Sequence, residues 1–488
     1  MVFFSPSFKF ICYICRKYGK MKRTILLAIC CITSLASIAK VTLPKMFGEG
    51  MVLQQSSKAN LWGEARKSAT VKVTTSWDGR IYTTRSNGDG RWRLAIDTPS
   101  AGGPYVITFD DGETTTLGDI LVGEVWVCSG QSNMEMPMKG FKGQPVEGAV
   151  IDCLHSTDPQ LRMFTVKRNS QFAPVDTVSG SWLSASPSHT RDFSATAYYF
   201  GRELRQVLQV PVGLIVTSWG GSACEAWMTA DWLRAFPDAK VPQSASDIKS
   251  PNRTPTVLFN GMLHPLAGYT MRGVIWYQGE DNVPRHPTYA AMLGTMVQGW
   301  RTLWQQGDFP FYYCQIAPYD YSLIDWDVNS ALLREQQALV ERQVPNTGMA
   351  VLMDAGLEYG IHPRKKREAG ERLALLALGK TYDVEGIPEF ARYEGVEFQG
   401  DTAVVRFDRS REWVYFDRGT TSDLFEIAGA DKVFHPAKAW INRNRVYLHS
   451  DKVPQPVAVR YAFRNWADGD LFCDGLPVSS FRSDDWEE

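Results

Sequence analysis

Charge of one sign is the first thing this chain lacks. Its 52 Lys and Arg stand against 53 Asp and Glu, a formal net charge of -1 over 488 residues. With no basic stripe, nucleic-acid binding has no electrostatic footing, and with no acidic tail there is no sign of a disordered arm. Histidine is scarce, with seven in all. His155, His189, His264, His286, His435 and His449 form no spaced pair with a carboxylate, so no metal site is expected. The G-x-G-x-x-G fingerprint of dinucleotide sites is missing as well, and no cofactor is expected. Tandem repeats and low-complexity linkers are also absent.

Long apolar runs are nearly absent. The one exception spans residues 22–39, where Lys22 and Arg23 precede an apolar stretch closed by Ser37-Ile38-Ala39, with small residues on either side of Ile38. That is the layout of a secretory signal peptide and not of a membrane span. It starts at Met21, so residues 1–20 read as an upstream extension from a misplaced start. The mature chain is expected to begin near Lys40 and to be exported, to a periplasm or to the extracellular space. Ile29 before Cys30 fits a lipoprotein cleavage site poorly. After cleavage Cys128, Cys153, Cys224, Cys314 and Cys473 remain, an odd number without a close C-x-x-C pair. One disulfide is allowed and a zinc knuckle is not supported.

The length calls for two or three domains. Residues 40–117 carry short alternating runs between turn signals such as Asn87-Gly-Asp-Gly, the pattern of a small β-sandwich that braces its neighbour. Residues 118–383 change to apolar strands alternating with amphipathic helices, which predicts an α/β domain with a parallel sheet covered on both faces. Helices are predicted over residues 194–208, 288–304, 331–342 and 363–379, the last with Pro363 in its first turn. Residues 384–488 return to strand texture, a second β domain packed onto the centre.

In an open α/β sheet, ligands gather beyond the carboxyl ends of the strands. Four predicted loops at that edge are chemically unusual: Ser129-Gly-Gln-Ser-Asn, Ser218-Trp-Gly-Gly-Ser, Tyr277-Gln-Gly-Glu-Asp-Asn, and the segment from Asp354 to Pro363 that carries His362. The first follows a buried apolar run, so Ser132 is delivered on a tight turn, although the G-x-S-x-G pattern is not present there. Acyl transfer needs a serine to attack, a histidine to accept and return its proton, and donors for the oxyanion. Glycines let backbone N–H groups approach, and a neutral amide such as Gln278 can add a further donor. The blander readings are a helix-start role for His362, a plain turn at Gly220-Gly221, and a solvated helix face for the charged run 364–371.

These segments resemble the sialate O-acetylesterase family of the SGNH hydrolase superfamily. Gly130-Gln-Ser-Asn-Met, Trp219-Gly-Gly-Ser with Glu225-Ala-Trp, Trp276-Tyr-Gln-Gly-Glu and Ile361-His-Pro carry the likeness. So do Phe259-Asn-Gly-Met-Leu and, near the C-terminus, Gly475-Leu-Pro and Phe481-Arg-Ser-Asp-Asp-Trp. The resemblance runs from about Val41 to Trp486. It implies Ser132 as nucleophile and His362 as base. The oxyanion donors it implies are a Gly220 or Gly221 N–H, Gln278 and the Ser132 N–H. Asn133, Glu225 and Glu280 become candidate substrate contacts; Gln278 and Glu280 read equally as supports behind the site. Trp227 is as well placed in a core as in a pocket.

One position departs from the superfamily pattern. The aspartate commonly found three residues before the histidine is replaced by Tyr359. Glu358, Asp354, Glu280 or a backbone carbonyl are left to hold the imidazole, and a Ser-His dyad is an alternative. The expected activity is release of O-acetyl groups from sialic acids through an acetyl-serine intermediate. O-acetylated xylan or another plant glycan is the alternative substrate, and a silent glycan-binding protein the alternative class.

Overall fold

The protein is described here by a computed structural model, which covers residues 40–324, 326–409 and 413–486. The expected upstream extension and signal segment lie outside the described residues. At the centre, seven strands line up: β1 (Thr114–Gly130), β2 (Asp158–Thr165), β3 (Trp182–Ala185), β4 (Val212–Ser218), β5 (Gly273–Tyr277), β6 (Phe311–Cys314) and β7 (Thr347–Ala350). Their order is β7-β6-β5-β1-β4-β2-β3. All neighbours are parallel except β3, which pairs antiparallel to β2 at one edge. The inner strands are buried along their whole length, as the unbroken apolar runs require.

Besides the short helices Ala149–Leu154 and Pro187–Arg191, the helices are α1 (Ser132–Glu135), α2 (Ala195–Leu208), α3 (Tyr289–Trp304), α4 (Ala331–Gln343) and α5 (Lys366–Lys380). The four longer ones pack in two pairs, α2 with α5 and α3 with α4. Ser194 starts α2 by accepting the Ala197 N–H at 3.1 Å. The last helix begins later than predicted. Lys365 sits at φ -77° and ψ 65°, and the Lys366 N–H donates to the Arg364 carbonyl at 2.9 Å. That is an inverse γ-turn, which keeps Pro363 outside the helix.

Strand β1 is unusually long, at 17 residues. Its first half pairs antiparallel with Gly102–Asp110 of the N-terminal β region and parallel with Val52–Gln54; its second half lies in the central sheet. The strand therefore runs through the expected boundary at 117/118. Asp119, at φ 54°, marks a bend within it, and Arg162 clamps the Asp119 carboxylate with two bonds of 2.6 and 2.9 Å.

The C-terminal region builds small antiparallel sheets, including Arg392–Gln399, Thr402–Asp408, Arg445–His449 and Lys438–Asn442. Fully buried Arg334 of α4 reaches into it, donating to Ser480 Oγ at 2.9 Å and to the Arg464 carbonyl at 2.5 Å. All five cysteines among the described residues are free thiols. No helix among them is long and apolar enough to cross a membrane.

Candidate active site

The strand order reverses on either side of β1, because the chain lays down β2 to β4 on one flank and β5 to β7 on the other. A loop leaving β1 therefore opens at the crevice where open α/β sheets hold ligands. The register aligns three strand ends there: Gly130 stands opposite Ser218 on β4 and Tyr277 on β5. Gly130 takes φ 139°, and a Cβ at this position would collide with the Tyr277 carbonyl. Only glycine allows so sharp an exit. Gln131 follows with its N–H on the Tyr277 carbonyl at 3.0 Å, and Ser132 opens α1.

Ser132 is half-buried, and its hydroxyl and N–H have no hydrogen-bond partner among the described residues. The glycine loop after β4 lies against it: a Cβ at Gly220 would stand 3.4 Å from Ser132 Cβ. His362 comes from the loop before α5. Asn133 ties the two together, since its Nδ2 donates to the Ile361 carbonyl at 3.1 Å. The residues next to Ser132 and next to His362 are thus hydrogen-bonded to each other. The loops that carry the expected nucleophile and base are therefore joined beside both residues.

The imidazole of His362 has its Nδ1 2.6 Å from Gln144 Oε1 and its ring edge-on to Phe141 at 5.1 Å between centroids. Burial, and then the charge of Lys366, push His362 down to about 4. The acids expected beside it are elsewhere. Asp354 is held by two bonds of 2.6 Å to Arg372, and the Glu358 carboxylate engages the Tyr359 hydroxyl. Neither bonds His362 among the described residues.

Several other expected contacts form the wall behind the site. Asn133 and Glu280 are buried, with Asn133 Nδ2 donating to Glu280 Oε1. Lys366, also buried, donates to Asn133 Oδ1 at 2.7 Å and to the Pro363 carbonyl at 2.8 Å. Burial raises Glu280, while it lowers Lys366 to about 7. Glu280 Oε2 is buried without a partner. This network joins the serine loop, the loop after β5 and the histidine loop.

Gln278 is fully buried, and both its N–H groups are engaged, by the Ser222 carbonyl at 3.1 Å and Asn282 Oδ1 at 2.7 Å. Tyr289 donates to its Oε1 at 2.8 Å. It therefore supports the glycine loop and leaves no donor for an oxyanion. The Gly220 N–H is likewise taken, by Glu135 Oε2 at 2.8 Å, whereas the Gly221 N–H has no acceptor among the described residues. Glu225 accepts from Asn282 at 2.9 Å and from Arg285 at 3.0 Å, and Trp227 is core.

Gln144, Lys366 and Arg253 escaped the sequence reading. Lys366 was legible in principle: with Ala369, Gly370, Leu373 and Ala377 it follows the helical spacing of a buried face, inside what reads as a solvated charge run. Arg253, 57% exposed, binds Asp281 at 2.6 Å through Nε, and its guanidinium makes no other hydrogen bond among the described residues. A Cβ at Gly221 would lie 3.8 Å from its terminal nitrogen. No sequence pattern pointed to it.

Comparison with known proteins agrees with this geometry. The profile of the family described as carbohydrate esterase, sialic acid-specific acetylesterase, matches residues 122–375. The sialate O-acetylesterase of Rattus norvegicus is 30% identical over 397 residues, covering 68% of this chain and 72% of the rat protein. That of Homo sapiens is 30% identical over 369 residues, covering 68% and 69%. A crystal structure of a carbohydrate acetylesterase from Xanthomonas citri superposes with a TM-score of 0.84 at 35% identity, covering 92% of this chain and all of that one. With its serine and histidine loops meeting at the switch point of an α/β sheet, the chain belongs to the sialic acid-specific acetylesterase family and is a carbohydrate esterase.

Proposed function

We propose that the chain removes O-acetyl groups from sialic acids through an acetyl-serine intermediate. The observation that supports the mechanism is the Asn133–Ile361 hydrogen bond, which joins the residue after Ser132 to the residue before His362. Ser132 Oγ bonds to the acetyl carbon as His362 Nε2 takes its proton. The Ser132 and Gly221 N–H groups, neither with an acceptor among the described residues, would receive the oxyanion. The carbon–oxygen bond to the sugar breaks and the alkoxide takes the proton from His362. Water then attacks the acetyl-serine, passing a proton through His362 back to Ser132, and acetate leaves.

Two observations bear on the sugar. The exposed guanidinium of Arg253 beside the glycine loop suits a carboxylate such as that of sialic acid. A cleft of about 1050 Å³ next to Glu358 favours a second reading. Trp326 and Trp466 line it for stacking, but Asp320, Asp327 and Glu358 outnumber Arg464, which suits a neutral chain such as acetylated xylan. Acetate release from 9-O-acetylated sialoside and acetylated xylan, measured side by side, separates the two. Ser132→Ala is expected to lower turnover at least ~10³-fold on the preferred substrate. Unchanged acetate release by that variant overturns the mechanism. Export is proposed from residues 21–39 alone, and retention of Met1 or Met21 in the intact mass of secreted protein would refute it.

A further inference from the structure

We propose that Gln144 is the positioning residue of His362, a neutral amide standing where the superfamily commonly uses an acid. This deepens the esterase reading and rests on it. Gln144 Oε1 lies 2.6 Å from His362 Nδ1. An amide oxygen only accepts, so Nδ1 must carry the proton and Nε2 is the basic nitrogen. That is the tautomer a serine hydrolase needs.

The loop that presents Gln144 is built as a clamp. Phe141 and Gln144 exchange two backbone hydrogen bonds of 3.0 Å each, between Gly140 at φ 76° and Gly143 at φ 73°. This tight hairpin sets Phe141 against the ring edge-on while Gln144 takes Nδ1. Three residues on, the Glu147 N–H donates to the Arg364 carbonyl at 3.0 Å, fixing the clamp to the segment that carries the histidine. The ring is thereby held in plane and in tautomer without a charge.

The charges around the ring are accounted for. Lys366 on α5 is the cation whose field bears on it. Lys365, on the same loop, has its Nζ on the Asp354 carbonyl at 2.8 Å, and Asp354 itself is paired with Arg372. Lys142 and Glu147 flank Gln144 on the clamp, and both are exposed, as is Arg364. An amide partner offers an imidazolium no opposite charge, so this histidine is held ready as a base and not stabilised as a cation.

The test uses the full mature chain with its seven histidines labelled in the ring nitrogens, and His362→Asn to assign the signal. Wild type is expected to show His362 as the Nδ1–H tautomer at pH 7. Gln144→Ala is expected to shift it to the Nε2–H form usual for free imidazole. The same variant should lower kcat on an aryl acetate about 5-fold, the loss of one neutral hydrogen bond, with KM unchanged. Gln144→Glu should keep the Nδ1–H tautomer and move the acid limb of the pH profile upward. Gln144 is exposed, so these changes leave the core intact. An Nε2–H tautomer in wild type, or a tautomer indifferent to Gln144→Ala, overturns the proposal. The tautomer is read without turnover, so failure of the esterase reading would show separately, as absence of acetate release by wild type.

Discussion

Replacing Lys366 with methionine tests whether the buried network behind the site holds a real ion pair. The bonds of Lys366 to Asn133 Oδ1 and the Pro363 carbonyl are lost, and Glu280 loses the nearby positive charge while keeping the Asn133 donor. Stranded among buried neighbours, Glu280 escapes by taking a proton. Its ordinary value is 4.5, so holding it neutral at pH 7 costs about 3 kcal/mol at roughly 1.4 kcal/mol per pH unit. Adding the lost hydrogen bonds brings the expected destabilisation to about 3–5 kcal/mol at pH 7. At pH 5 neutralisation is nearly free, and the difference from wild type should narrow by at most about 2–3 kcal/mol, less what wild type itself gains because burial already raises Glu280.

The wild-type lysine does not blur this comparison. Its folded value, about 7, lies below its ordinary 10.5, so the folded state binds fewer protons between those limits. Wild-type stability therefore gains from this group as pH rises from 7 to 10.5, and is flat in it between pH 5 and 7. Urea midpoints read by the fluorescence of buried tryptophans such as Trp276 and Trp300 supply the measurement. Adding Glu280→Gln to Lys366→Met should recover about 3 kcal/mol at pH 7 and remove the pH dependence. If Lys366→Met unfolds with wild type at pH 7, or the double variant recovers nothing, the pair is already neutral and the reasoning fails.

Two further outcomes are expected. Arg253→Gln should raise KM for an O-acetylated sialoside by ~10-fold or more while leaving aryl-acetate hydrolysis unchanged, because Arg285 still reaches Asp281 at 3.5 Å and the catalytic pair is untouched; an equal loss on both substrates would show a structural role instead. Because His362 is lowered by burial and by Lys366, the neutral base persists well below 6.5, and the acid limb of kcat/KM should fall near 4. A limb at 6.5 or higher in wild type would contradict the buried, amide-bonded ring.

The sheet and its helices could be read from the chain because they depend on local patterns. Leu214, Ile215 and Val216, or Val274, Ile275 and Trp276, are too apolar for anything but a covered strand. The motif glycines mark where the backbone must turn. What stayed hidden depends on side chains meeting across long separations. Gln144 and His362 are 218 positions apart, and nothing around Gln144 announces an acceptor. Glu225, Glu280, Asn133 and Gln278 have the chemistry of substrate contacts, and their residue types are the same whether they face a ligand or one another. Burial decided the matter, and burial of a polar residue is a property of the assembled fold.

Strand β1 places a constraint on rearranging this architecture. At about 3.3 Å per residue its 17 residues form a beam of roughly 55 Å contour, with one end in the N-terminal module and the other at the loop of Ser132. The beam has a knee at Asp119, and the Arg162 guanidinium locks it. Here the two modules share one structural member in place of a hinged linker. A cassette exchange that cuts ahead of Thr114 would strip the partners Gly102–Asp110 and Val52–Gln54 from the outer half of that beam. Slack introduced there is transmitted, residue by residue, toward the turn that aims Ser132. The N-terminal module is thus part of the mounting of the Ser132 loop, and its homologues can be interchanged only together with the strand that leads into that loop.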